Sequence, residues 1–547
     1  MRFLSVSLMV ALLAFAVPSF AAPAVDEAGA AKLKKEVEDA LAFSLKISES
    51  TGEGMKTEGP VQVTPSGSYY QVKIPGVRFD MPGGRLNVGN VVMNASPADD
   101  GAYLVSAAIP TRMTFSTSAN PEAAVITIGE QKSASVWYPA YNNVTKMDAS
   151  YGNVAVVVAG KDGKSGFDIK LAQGKVVRNM VKNADGTWSG PDSVSLNGLS
   201  FASADQKGSV SIGSIAANSV TDQLDMTQLQ ALQKKVEDAI SSAMVDGAKQ
   251  SDPAVVKSMV DEMLNDKSTL MNGFSSALEA SDVRASFTSE KAPADASKPA
   301  ETKTSTFGLA KLGYGLSIKD IKKEKGSIGF KVMMDGLNIS DAPTDIAGMI
   351  PTSSNIDITL DSLPMQKLSQ TFTSLIRSSM DAALEAQGAA SGPAKQKAQN
   401  DIMMAIATLP QTVTEAGSSV SVRNTHVTAP DISGTLDGSF TMKQGKMTLA
   451  FGGLDELIAK LQAATSSAKD PSKVAQMVQS LTMLQMSGQN QPGADGKSKR
   501  VYVFELTADG KFLMNGADMS AMMGMMGGGL GGAKAKPVPG QPIVPTP

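Results

Sequence analysis

The chain has 547 residues, with 50 basic against 53 acidic side chains, one histidine, no cysteine and 31 methionines. A net charge of −3 gives no electrostatic hold on nucleic acid and no polybasic grip on an anionic membrane. The absence of cysteine removes disulfides, thiolate nucleophiles, zinc ribbons and iron–sulfur ligation together, so the fold must be held by buried apolar surface.

Arg2 is followed by an apolar run from Phe3 to Val17, interrupted only by Ser5 and Ser7, then by Pro18 and Ser19-Phe20-Ala21. This is the pattern of a secretory signal peptide over 1–21, cut after Ala21, with an uncleaved anchor as the alternative. It predicts an exported, periplasmic protein. No later stretch reaches the ~18 consecutive apolar residues of a spanning helix.

Residues 26–48 repeat Leu33, Val37, Ala40, Leu41 and Leu45 at three- and four-residue spacing, with Lys34, Lys35, Glu36, Glu38 and Asp39 opposite. That is an amphipathic helix. From about 60 to 215 the period is two: Tyr70, Val72 and Ile74, then Val77, Phe79 and Met81, then Phe167, Ile169 and Leu171, each alternating with polar residues. These are antiparallel strands with one wet face. Ser66-Gly67, Gly83-Gly84, Asp162-Gly163 and Asp185-Gly186 supply the turns. Helix and strands together make a first module over 26–215.

Residues 216–285 read as helical, with Val256, Met259, Val260, Met263 and Leu264 following Pro253. Residues 286–306, most of them in "EKAPADASKPAETKTSTF" at 290–307, read as a flexible linker or surface loop. A second sheet–helix module spans 307–516. It contains strands from Leu316 to Ile339 and around Ile356, Ile358 and Leu360, then a helix opened by Pro364 with Leu368, Phe372, Leu375, Ile376 and Ala383 as its stripe. A short helix over 396–409, strands over 418–451 turning at Asp437-Gly438 and Gln444-Gly445, helices over 453–465 and 472–486, and a hairpin turning at Asp509-Gly510 complete it. "KKEVEDAL" at 34–41 returns as "QKKVEDAI" at 233–240, and "KGSVSI" at 207–212 as "KGSIGF" at 325–330. Two related modules and chance similarity both account for these echoes. The fold class is α+β: long antiparallel meander sheets, curved or groove-like, covered by amphipathic helices. A Met/Gly-rich segment (517–532) and a proline-spaced tail (533–547) close the chain.

Catalytic chemistry has little to draw on. His426 stands alone in a strand-like stretch with no nucleophile elbow near it. "GKDGKS" at 160–165 lacks both the first Walker glycine, Val158 standing there, and the following helix, so it reads as a hairpin turn. No calcium-loop pattern occurs, and paired acids cannot be picked out by spacing. No catalytic residue and no cofactor is assigned. Met519, Met522, Met523 and Met526 fall at i, i+3, i+4 and i+7, one face of a short helix capped by Asp518 and stopped by Gly527. They read as a docking or groove-closing segment. Met519, Met522, Met523, Met525 and Met526 are also the candidate ligands for copper(I), which thioethers select in a thiol-free compartment.

"NIDITLDSLPMQKLSQTF" at 355–372, "GKMTLAFGGLDELIAKLQ" and "FELTADGKFLMNG" resemble uncharacterised alphaproteobacterial periplasmic proteins and, more widely, AsmA-like proteins. The resemblance implies curved sheets with an apolar groove that holds or passes lipids. It transfers no functional residue, and this chain departs from it by lacking a retained membrane anchor. The expectation is a non-enzymatic envelope protein that binds a lipid or other hydrophobic ligand, or is structural, with envelope proteins as further partners. Copper(I) sequestration and an envelope hydrolase are the alternatives.

Overall fold

The structure is a computed structural model describing residues 24–51, 54–160, 165–203, 207–245, 270–291, 301–341, 347–387, 393–441, 443–465, 471–492 and 498–520. The chain divides into two compact units, Met1–Pro430 and Asp431–Pro547.

The first unit opens with α1 (Glu27–Thr51), then β1 (Gly54–Lys56), β2 (Gln62–Ser66), β3 (Tyr69–Met81), β4 (Gly84–Pro97), β5 (Tyr103–Ala108) and β6 (Arg112–Ser116). The long strands follow: β7 (Ala124–Tyr138), β8 (Asn143–Ala159), β9 (Ser165–Asn179), the short β10 (Val181–Lys182), β11 (Trp188–Ser203) and β12 (Gly208–Leu224). After α2 (Met226–Val245) come β13 (Gly273–Lys291), β14 (Glu301–Lys319), β15 (Lys325–Asp335), β16 (Asn338–Ile339) and β17 (Ser353–Pro364). Two helices, α3 (Met365–Gln387) and α4 (Pro393–Glu415), lead into β18 (Ser419–Thr428).

Each long strand pairs antiparallel with the next, so the unit is an up-and-down meander running from β3 to β18. β5 and β6 together take the place of one interrupted strand between β4 and β7. The α+β class and the antiparallel meander agree with the period-two reading.

Helical cover is local. Ala30, Leu33, Val37 and Leu41 of α1 bury against Tyr70, Val72, Ile74, Met93 and Val105 at the β1–β5 end of the sheet. α2 seats Met226 on Met180 and Trp188. The first turn of α3 seats Leu368 on Ile318, Ile328 and Leu360.

Three expectations need correction. Residues 216–285 are not helical throughout: β12 runs on to Leu224 and β13 starts at Gly273. Phe274, Leu278 and Ala280 carry a period-two pattern that intervening serines and alanines disguise as helix. The stretch 286–306 is not a linker at its ends, because Lys291 pairs with Glu301 and Thr288 with Thr304, and such Thr/Ser-rich strands join a ladder through their backbone. Asp437 and Gly438 pair with Thr448 and Met447 inside a strand rather than turning. Residues 256–264, and the turn at Asp162-Gly163, lie outside the described residues.

The second unit holds β19 (Ser433–Thr441), β20 (Gly445–Gly452), α5 (Leu454–Ala464), α6 (Pro471–Ser487), β21 (Gln489–Pro492), β22 (Ser498–Leu506), β23 (Phe512–Met514) and β24 (Ala517–Asp518). Its core gathers Leu454, Leu457, Ile458, Val501 and Tyr502. The Tyr502 hydroxyl donates to the Leu484 carbonyl at 2.6 Å. Arg500 donates to both Asp455 oxygens, at 3.2 and 3.0 Å, and Gln485 to one at 2.8 Å. The Arg500 guanidinium, aided by Gln485 and Ser498, holds the Asp455 carboxyl below the usual carboxylate range.

A carboxyl with a depressed folded value stabilises the fold above its unfolded value of about 3.9, and that contribution is lost as pH falls through the folded value. The protection factors of amides across β22, taken relative to the intrinsic exchange rate at each pH, are therefore expected to fall below about pH 4. Asp455→Asn is expected to cost about 2 kcal/mol near neutrality and to flatten the acid response. An unchanged acid profile in the variant would remove Asp455 as its source.

Candidate functional site

Directly opposed residues on antiparallel strands share a face of the sheet, so the register itself assembles the site. One row runs Val156, Ile169, Phe201, Val210, Ala285, Phe307 and Ile339. The next runs Val154, Leu171, Leu199, Ile212, Val283 and Leu309. A third runs Tyr151, Gly174, Leu196, Ile215, Ala280, Leu312 and Met334. The fourth runs Ala149, Val176, Val194, Ala217, Leu278, Tyr314, Val332 and Ile356.

Strict alternation would put the first two rows and the last two on opposite faces. A transverse seam prevents this. Between the second and third rows, pairing lapses at one residue per strand: Gly129, Asn153, Ala172, Gly198, Gly213, Asp282 and Ala310, while the register on either side is unchanged. Every other seam residue is left-handed: Asn153 (φ 52), Gly198 (φ 65), Asp282 (φ 51), and Gly336 (φ 67) beyond β15. The backbone kink shifts the alternation by one, so apolar residues step i, i+3 across it, as in Leu171 to Gly174 and Leu196 to Leu199. A Cβ on Gly174 would lie 3.5 Å from both Leu171 and Leu196 side chains, which places all three on one face. The same step brings Ile74 with Val77, and Val88 with Val91, into the core beneath α1.

The four rows thus form one apolar strip, continuous with the face that α1 covers. Under α1 the residues are closed: Val72 is 1% and Ile74 2% exposed. Along the strip, Leu278 is 50%, Phe287 54% and Leu312 46% exposed, and Val194, Phe201, Tyr314, Phe330, Ile339 and Ile356 are exposed as well. From β8 to β17 the strip crosses strands spaced about 4.8 Å apart, which makes it roughly 34 Å wide, and it is about 23 Å long at ~3.3 Å per residue. That is a footprint of roughly 800 Å²; Ala149 and Leu309 within it are closed, and the exposed part lies from β11 to β17, still of the few-hundred-Å² size that marks a binding surface on a monomer.

The four rows contain no ionisable side chain except Tyr151 and Tyr314. Burial pushes the Tyr151 hydroxyl up to about 12, which keeps that position neutral. Charge is confined to the margins. At one end Arg178 Nε donates to Asp192 at 2.6 Å, and at the other Lys303 lies 3.4 Å from Asp341. The opposite face carries Asp168, Lys170, Asn197, Ser211, Glu279, Arg284, Lys311 and Lys331. Such a surface is suited to apolar contact by area, and its four rows carry no carboxylate, imidazole or amine.

His426 lies in β18, with Nδ1 3.1 Å from the Asn424 carbonyl and Nε2 3.5 Å from Ser353 Oγ. Among the described residues, no cluster of three His, Asp or Glu side chains is arranged to hold a metal ion. Of the methionine segment, Met519 follows β24 and its N–H donates to the Phe512 carbonyl at 2.8 Å. The Asp518 carboxylate accepts from Ser520 N–H at 2.9 Å. Met522, Met523, Met525 and Met526 lie outside the described residues.

Comparison with known proteins finds no match: no family model, no curated protein and no solved structure. The sequence reading missed the seam. Its trace in the sequence is the i, i+3 step between two period-two runs, with Asn, Asp or Gly inside, as in "LNGL" at 196–199 and "ASDV" at 280–283.

Proposed function

We propose that this protein is an exported, periplasmic, non-enzymatic carrier of acyl chains, which lie on the apolar strip of the first unit. The observation that supports this is the contrast along one continuous face, closed beneath α1 and carrying half-exposed leucines and aromatics from β11 to β17. A water-exposed apolar surface of this size is unfavourable by about 25 cal/mol per Å² until something covers it. Aliphatic chains suit it better than a polar ligand, because its interior offers no charge to orient one. Flexible acyl chains can follow a kinked sheet where a rigid ligand cannot.

Native mass spectrometry of the full chain, purified from its own compartment without detergent, tests the reading. The expected result is added mass matching fatty acid or phospholipid, displaced by a fluorescent fatty acid. Bare chain mass together with no binding of the fluorescent fatty acid would count against a carrier and leave a structural role.

A further inference from the structure

The strip does not end at the sheet. α3 and α4 form a hairpin, held by the Ser378 hydroxyl on Asp401 at 2.5 Å and an ion pair of 3.9 Å between Lys367 and Glu415. Its root, at Leu368, is buried against Ile318, Ile328 and Leu360, which continue the apolar face. From Leu368 the stripe goes on at four-residue spacing to Phe372 and Ile376, one side of a helix, and there nothing among the described residues closes it: Phe372 is 56% exposed. On α4, Ile402, Met403 and Met404 are consecutive, and the two methionines are 67% and 66% exposed. Successive helical residues point about 100° apart, so this turn is apolar around most of its circumference. No charged residue occurs from Leu368 to Ile376 or from Ile402 to Thr414.

Apolar side chains grouped like this and left half exposed mark a surface that docks on protein or lipid. We infer that the α3–α4 hairpin docks into the interfacial layer of a phospholipid membrane, with Phe372, Met403 and Met404 among the acyl chains. Three features favour lipid over a protein groove. The apolar surface wraps more than the one side that a groove covers. Neither segment carries a charge, the kind of group that fixes register and partner choice across a protein interface. The surface is also continuous with the strip, so a membrane-seated hairpin would bring the mouth of the strip to a supply of acyl chains. Only that last point rests on the carrier reading; the docking stands on the hairpin alone. No described helix is long and apolar enough to cross a membrane, so the hairpin lies in the interface.

Flotation of the full chain with vesicles tests this, using phosphatidylcholine alone and phosphatidylcholine mixed with phosphatidylglycerol, at low and high salt. Comparable flotation with both compositions, retained in high salt, is expected, because the docking surface is uncharged. Phe372→Ser/Met403→Ser/Met404→Ser should lower the bound fraction about tenfold or more with unchanged helical circular dichroism, and should still bind a soluble fluorescent fatty acid. Leu278→Glu/Leu312→Glu should do the reverse: float normally and lose the fatty acid. If the triple variant misfolds, Met404→Glu replaces it, with the same loss of flotation expected. Docking is overturned if wild-type protein stays with neither vesicle, if only anionic vesicles carry it and salt releases it, or if the folded hairpin variant floats like wild type.

Discussion

Replacing Leu278 and Leu312 together by glutamate is expected to leave the protein folded and to weaken acyl-chain binding by about 100-fold or more. Both leucines are half exposed in the free protein, and they are diagonal neighbours, since Leu278 faces Tyr314 and Ala280 faces Leu312. Two carboxylates there stand in water, and surface changes of this kind usually alter stability by about 0.5 kcal/mol or less. A bound acyl chain would strip that water away. Desolvating an unpaired carboxylate costs several kcal/mol, against about 2.7 kcal/mol for each 100-fold in affinity. Titration with a fluorescent fatty acid, beside urea unfolding of the same samples, separates the two effects. Wild-type affinity in the folded variant would show that ligand does not lie on the strip.

Gly198→Val is expected to destabilise the first unit by about 3 kcal/mol, from left-handed backbone and overpacking together. Gly198 holds φ at +65°, and an added Cβ would come within 2.8 Å of the Ala172 Cβ. A β-branched residue accepts neither condition. Gly174→Ala is the control: its Cβ meets Leu171 and Leu196 at 3.5 Å, ordinary contact, and no left-handed φ is required. The urea midpoint should fall for Gly198→Val and hold for Gly174→Ala. Equal midpoints would show that the seam is not a fixed kink. Partial unfolding of Gly198→Val should also reduce acyl binding, because the kink is what keeps Leu196 and Leu199 on one face.

Much of this architecture was legible in the residues. The helix at 26–48 emerged as Glu27–Thr51, since its stripe of Leu33, Val37 and Leu41 repeats at helical spacing and finds a sheet to bury against. The turn expected at Gly83-Gly84 falls at Pro82-Gly83, between β3 and β4, where Gly83 takes φ +87°. Residues 273–281 failed as a reading because serine and alanine alternate there with few large apolar residues. Local propensity was neutral, and the choice fell to the edges of β12 and β14, which offered backbone partners on both sides. Asp437-Gly438 failed for a related reason: a turn dipeptide inside a strand is overruled when a neighbouring ladder spans it.

For the site, alternation along single strands identified apolar and polar faces, since period two is a property of one strand and its solvent. Alternation could not say which faces coincide across strands, because that depends on register and on kinks that shift the phase at Asn153, Gly198 and Asp282. Nor could it say what covers the apolar side. The sequence determined by itself that this chain would build a long antiparallel meander held without disulfides. Only tertiary structure decided that α1 closes the face over β1–β5 and α3 its Ile318–Leu360 end, and that Leu278, Leu312 and Tyr314 between them stand half exposed, because helix placement is settled by long-range packing that no local window contains.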